Sequence, residues 1–447
     1  MNRLANLLPD LLLYLPNQQV QRHEFLAELA NAQANQWNAA RLEHMVQARL
    51  QALRHHAVSQ VPFYRQFWAS VGSDPTTVPF TSLPVLEKDL LRAHYTRLFS
   101  EDLPPVTLSY SSGTQGATTV VMHSRRSVRL GLAASKRYFD EARLPRYPTI
   151  ANLLPWPSPP LRRRNRYDWG AARVEVGMLD YCRAAQSHKP INADAIIGPP
   201  LVLRQTADIL GPRLGHVTRA VINCYERLDP ATRTFVETRT ELPIFDVYAA
   251  SELAAPIAFE CIAHQGFHVN DDYVKVEVVD DEGQPVEPGQ TGQVLVTDLT
   301  NLAMPIIRYR IGDIATMSTD PCPCGRSLSR LTWIEGRASD IIQREGDQEI
   351  PAAHVIDRLA AALGTDFRLV QDGVNRFTLV LPCGSNEVAH LQSIIEQALD
   401  HVIELHISQE DGALDVRGIK RIRFLSQLPR PLHVPADRPP ARYDTDT

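Results

Sequence analysis

Lysine is scarce in this chain: five lysines stand against 41 arginines among its 46 basic residues. Beyond Lys275 only Lys420 remains, so any chemistry that needs an ammonium from the C-terminal part has one candidate. Positive charge is not in excess either. With 51 acidic residues the net charge is −5, which excludes a global field for nucleic acid or an anionic membrane surface. One local basic run, Arg162, Arg163, Arg164 and Arg166, follows a turn rich in Pro155, Pro157, Pro159 and Pro160, and reads as a solvated loop. No long apolar run is present. The opening MNRLANLLPDLLLYLP is broken by Pro9, Asp10 and Pro16 and lacks the pattern of a signal peptide, so a cytoplasmic protein with no membrane partner is expected. Six cysteines spread over 447 residues do not make a disulfide framework. There is no internal repeat, no nucleic-acid-binding module, no Gly-x-x-x-x-Gly-Lys loop and no kinase signature.

What is there suits a soluble globular protein: 44% apolar and 22% charged residues. The length implies about two or three domains. Helices are expected over 19–57, through VPFYRQFW (61–68) and near Ser127–Ala142, with a strand at Thr118–Met122. Short apolar runs then alternate with helical stretches. AIIG (195–198) precedes LVLRQTADIL, AVINCY (220–225) precedes a helix at 229–239, and PIFDVYAASE (243–252) follows. This order argues for an α/β domain with mostly parallel strands. From about 267 alternation and turn signals indicate a β-rich subdomain. Beyond GRAS (336–339) a smaller α+β unit is expected: a helix at 352–363, strands near 366–372 and 376–382, a helix at 386–400 and a strand near 402–408. The Pro- and Asp-rich end reads as frayed.

Residues 109–124, SYSSGTQGATTVVMHS, collect small hydroxyl residues and glycines just before a β-branched run. Their N–H and O–H groups can converge on phosphate oxygens, although a flexible surface loop has a similar composition.

Four segments in order favour the phosphate reading. SSGTQG (111–116), YAASE (248–252), LTNLAMPIIRYRIGD (299–313) and WIEGRAS-D (333–340) together resemble the motifs of the adenylate-forming superfamily, on the branch of phenylacetate–CoA ligase and its relatives, over roughly residues 60–425. The resemblance implies an α/β fold: a large N-terminal α/β domain of several subdomains, one of them β-rich, over 1–337, and a small mobile α+β lid over 338–447. It implies an enzyme in which ATP activates a carboxylate as acyl-AMP, pyrophosphate leaves, and a thiol then attacks. CoA is the expected thiol, with an amine, hydroxyl or carrier-protein thiol as other acceptors. Ser111, Ser112, Gly113, Thr114 and Gly116 would hold the β- and γ-phosphates. Glu252 would hold Mg²⁺ against the α-phosphate. Tyr248, with Ser251 in the same segment, would take adenine. Asp313 and Arg337 would hold the ribose. Lys420, in LDVRGIKRIRF (414–424), keeps the family's spacing for the lysine that bonds the carboxylate and α-phosphate once the lid closes.

The same resemblance pairs Cys261 and His268 with Cys322 and Cys324 as a closed Cys₃His site for structural Zn²⁺. His264 is an alternative ligand, and Cys182, Cys224 and Cys383 have no partner by spacing. Several positions depart from the family pattern. Gln115, Ala117 and Thr118 alter the phosphate loop, Ala249 and Tyr225 alter the acid pocket, and Ser339 alters the hinge. The acid is therefore not assigned as phenylacetate; a small organic acid, with an aromatic one preferred, is the expectation. Tyr138, Trp156 and Tyr225 are candidates for its lining, with ordinary packing as the alternative. Dimers are common in this branch, which makes a homodimer one expectation. The altered loop also motivates a second reading, a nucleotide-binding but catalytically weak homologue acting as a partner or regulatory subunit.

Overall fold

The computed structural model describes residues 28, 30–103, 105, 107–110, 119–146, 148–153, 165–168, 173–176, 193–216, 218–338, 340–345, 349–364, 366–382, 387–409 and 423–428. The phosphate loop at 111–118, Trp156, Cys182, Ser339, Cys383 and Lys420 lie outside them.

Helix α1 (Ala39–Gln60) starts where the Asn38 side chain accepts from Arg41 N, and buries Leu42, Leu50, Leu53 and Ala57. A proline opens α2 (Pro62–Phe67), where its missing N–H costs nothing. After α3 (Lys88–Ala93) come strands β1 (Thr107–Tyr110) and β2 (Val120–His123), an antiparallel pair that flanks residues 111–118. Helix α4 (Arg125–Glu141) follows at once, capped by Ser124, which accepts from Ser127 N at 3.0 Å.

Next come β3 (Thr149–Asn152), β4 (Asn165–Asp168), β5 (Arg173–Val176), β6 (Ala195–Gly198), helix α5 (Pro200–Leu210), β7 (Ala220–Asn223), helix α6 (Pro230–Thr240) and β8 (Ile244–Tyr248). Strands β6 and β7 are buried along their whole length, as strands covered on both faces must be. Strands β5, β3, β6, β7 and β8 run parallel. Then β9 (Ala258–Glu260), β10 (Phe267–Val269), β11 (Val274–Val279), β12 (Thr291–Asp298), β13 (Tyr309–Met317) and β14 (Arg330–Arg337) join the same sheet in antiparallel pairs. The result is one sheet of twelve strands, in the order β11-β12-β13-β14-β10-β9-β8-β7-β6-β3-β5-β4. The β-rich texture after 267 is thus half of a continuous sheet, because β9 pairs with both β8 and β10. The Pro/Arg-rich region, expected as loop, runs into β4 at the sheet's far edge, beside β5.

The C-terminal unit has its own core. Strands β15 (Ile341–Gln343) and β16 (Glu349–Pro351) form a hairpin. Helices α7 (Ala353–Leu363) and α8 (Val388–Leu399) pack with β17 (Arg368–Gly373), β18 (Arg376–Leu381), β19 (Glu404–Gln409) and β20 (Phe424–Ser426), ordered β19-β18-β17-β20. Val355, Leu359, Phe367, Phe377, Leu391 and Ile395 fill its interior. Among the described residues, two ion pairs join it to the large domain. Arg227 Nη1 and Nη2 each lie 2.6 Å from an Asp357 oxygen, and Arg423 Nη1 lies 2.9 Å from Asp229 Oδ2.

Candidate functional site

Parallel strands β3, β6, β7 and β8 end at Asn152, Gly198, Asn223 and Tyr248. In open α/β sheets the crevice beyond such carboxyl ends is where ligands bind. Tyr248 closes β8 and its hydroxyl donates to Asp313 Oδ2 at 2.6 Å. Burial first, and Asp313 next, push the Tyr248 phenol well above its ordinary pKa, so it stays a donor. Asp313 and Arg337 are cross-strand partners of β13 and β14, which brings Arg337 Nε to 3.3 Å from Asp313 Oδ1. The nearby Asp313 carboxylate in turn raises the Arg337 pKa.

Glu252 lies just past β8 and is buried at 6% exposure. Tyr309, the first residue of β13, donates its hydroxyl to Glu252 Oε1 at 3.3 Å. Ser251 beside it is exposed. The structure therefore brings Tyr248, Ser251, Glu252, Asp313 and Arg337 to one edge of the sheet. The phosphate-loop residues and Lys420 lie outside the described residues.

Two residues without a motif join this edge. Lys88, at the start of α3, has Glu252, Arg337, Arg92 and Asp313 as charged neighbours; burial first lowers its pKa, partly offset by Glu252. Arg92, one turn on, donates from Nε to Thr119 Oγ1 at 3.2 Å, just after residues 111–118. No sequence pattern marks either one.

Across the crevice, Asn152 Nδ2 donates to Tyr225 Oη at 3.2 Å. Tyr225 holds φ 83°, a left-handed conformation rare outside glycine. Asn152 Oδ1 is buried without a partner. Ala249 and Tyr225 pack on the core that holds Cys224, while Tyr138 is itself part of that core, edge-on to Phe139 with centroids 4.6 Å apart.

The four candidate metal ligands converge as well. Cys261 follows β9, His268 sits in β10, and Cys322 and Cys324 lie between β13 and β14. Their ligand atoms all fall within 4.8 Å of one another. Cys261 and Cys322 Sγ are 3.6 Å apart, and Cys324 Sγ is 3.2 Å from His268 Nε2. Those separations fit the edges of a tetrahedron with metal–ligand bonds of about 2.0–2.3 Å. Burial pushes the Cys261 thiol up to about 12. Burial also raises Cys324, but bonds from Arg326 outweigh it and leave that thiol below its ordinary value. Burial, then Arg326, hold His268 down to about 4. His264, the alternative ligand, instead faces Glu260, with Nδ1 3.2 Å from Oε1.

The fold is shared with solved CoA ligases. 2-Hydroxyisobutyryl-CoA ligase in its postadenylation state superposes with a TM-score of 0.72, at 18% identity, over 93% of this chain and 94% of that one. In its thioesterification state the same ligase gives 0.58, over 88% and 91%. In sequence, the chain is 26% identical over 343 residues to the phenylacetate–coenzyme A ligase of Thermus thermophilus, covering 70% of this chain and 74% of that enzyme. To the phenylacetate–coenzyme A ligase of Escherichia coli it is 25% identical over 341 residues, covering 70% and 74%. The resemblance to the phenylacetate–CoA ligase-like branch of the adenylate-forming superfamily holds. No protein-family model matches the chain. Among the described residues, no helix is long and apolar enough to cross a membrane.

Proposed function

We propose that this protein is an ATP-dependent acid–thiol ligase of the cytoplasm. In the first half-reaction a carboxylate oxygen attacks the α-phosphorus of ATP, the bond to the β-phosphate oxygen breaks, and pyrophosphate leaves. In the second, the sulfur of CoA attacks the acyl carbonyl, the thiol proton is released, and AMP departs. The observation that carries this reading is the joint placement of Tyr248, Asp313 and Arg337 with the buried Glu252 at the carboxyl end of the parallel strands. An Asp held by a phenol and a guanidinium is a pre-oriented acceptor for ribose hydroxyls.

Glu252 fits a divalent cation: its carboxylate is buried, and among the described residues no cationic side chain pairs with it inside 4 Å. It would hold Mg²⁺, which supplies charge neutralisation at the phosphates. The residues at 111–116 would grip the β- and γ-phosphates, and Lys420 would align carboxylate and α-phosphate. Cys261, His268, Cys322 and Cys324 would hold Zn²⁺ as a closed structural tie, since four protein ligands leave no open position. Bulk at Tyr225 and the methyl of Ala249 favour a small organic acid, an aromatic ring included, over a long chain. A homodimer is part of this reading.

The half-reactions test the assignment. Lys420→Ala is expected to lower acid-dependent pyrophosphate release about a hundredfold or more. Its nucleotide affinity should stay near that of the parent. Unchanged release in Lys420→Ala would remove that residue from the mechanism.

A further inference from the structure

Helix α3 is built into the rim of the nucleotide edge. Leu86 N donates to Arg308 O at 2.9 Å and Arg310 N donates to Leu86 O at 3.1 Å, so the chain entering α3 runs beside Tyr309 as a short parallel bridge. Tyr309 is the residue that donates to Glu252. Lys88 and Arg92 are four residues apart on α3 and so share a face. At one end of that face Arg92 bonds Thr119, the first described residue after the phosphate loop. At the other, Lys88 has Glu252, Asp313 and Arg337 around it.

Lys88 is only partly exposed. The acids beside it in sequence are directed elsewhere: Glu87 pairs with Arg310 Nε at 2.9 Å, and Asp89 with Arg92 Nη1 at 3.6 Å. No carboxylate among the described residues forms an ion pair with its ammonium. A partly buried ammonium without such a pair is costly unless an anion meets it. The loop at 111–118 reads SSGTQGAT and contains no basic residue, although a triphosphate brings several negative charges to it. Lys88 and Arg337 stand beside Glu252, and Arg92 stands at the loop's exit.

We propose that Lys88 binds the phosphate chain of ATP beyond the α-phosphate, supplying from α3 the charge that the glycine-rich loop lacks. This rests on the reading of the site as an ATP site. Electrostatically, the contact would hold pyrophosphate as it separates and would be absent for AMP.

Calorimetric titration of the full-length protein with ATP and with AMP, in Mg²⁺ and without any acid, separates the two ligands. Lys88→Ala is expected to weaken ATP about ten- to a hundredfold, the loss of one charged hydrogen bond. AMP affinity should stay within about twofold of the parent. Lys88→Arg should recover most of the ATP affinity. Lys88→Met keeps the aliphatic stem and serves if the alanine variant unfolds. ATP affinity unchanged in Lys88→Ala and Lys88→Met, or ATP and AMP weakened equally, overturns the assignment. A parent protein that binds neither nucleotide overturns the ATP site itself, a result distinct from a failure of Lys88 alone.

Discussion

Gly131 shows how tightly single residues are held around the site. It lies on α4, where an added Cβ would come within 2.1 Å of Ala254 O and 2.6 Å of that carbonyl carbon. Both atoms are backbone, on the segment two residues past Glu252. A methyl group there must push α4 and that segment apart. Gly131→Ala is expected to cost about 2 kcal/mol in denaturant unfolding, as overpacked cores do, and to reduce turnover by displacing Glu252. Unchanged stability and activity would show that the helix yields freely. The motif residues were legible in the sequence because Tyr248, Ser251, Glu252, Asp313 and Arg337 sit in short, recognisable strings. Their bonds were not. The Tyr248–Asp313 contact joins residues 65 apart, and only the pairing of strands brings them together. Lys88 and Arg92 carried no signal, because α3 is six residues long and its position is set by the Leu86–Tyr309 bridge.

At the scale of elements, the Cys₃His cluster ties the loop after β9 to β10 and to the connection between β13 and β14. Hydrogen bonding already joins these strands, since β10 pairs with both β9 and β14. A metal would fix the connections at their ends. Purified protein is expected to carry about one zinc per chain by elemental analysis. Cys322→Ser should lose the metal and lower the thermal midpoint by about 5–10 °C. Metal-free parent protein with an undiminished midpoint would contradict a structural role. Elements with strong periodicity, such as α4, α5 and α7, were readable to within a few residues, and so were the buried strands β6 and β7. Strands β4 and β5 were not, because four residues each, NRYD and RVEV, are too short to carry a periodic signal. The antiparallel strands after 267 were visible as strands. Their continuity with the parallel half was not, because it depends on the three-residue β9.

At the scale of the whole molecule, the small unit rests on the large one through Arg227–Asp357 and Arg423–Asp229. Asp229 is fully buried and also caps α6 through Thr232, so Arg423 meets a pre-oriented carboxylate. A unit that turns between the two half-reactions must break both pairs. Asp357→Asn removes one of them without touching the nucleotide edge. It is expected to slow acyl-adenylate formation about three- to tenfold while leaving thioester formation from preformed adenylate unchanged or faster. Equal slowing of both steps would argue against a contact specific to the arrangement described here.

Acid activation by ATP liberates pyrophosphate, and that release is the first thing to measure. Purified protein with ATP and Mg²⁺ would be offered a panel of aromatic and short aliphatic carboxylates, without an acyl acceptor. Release is expected to depend on one class of acid and to leave acyl-AMP on the enzyme. ATP binding without release for any acid in the panel would contradict acid activation, and would favour a nucleotide-binding homologue that acts as a partner.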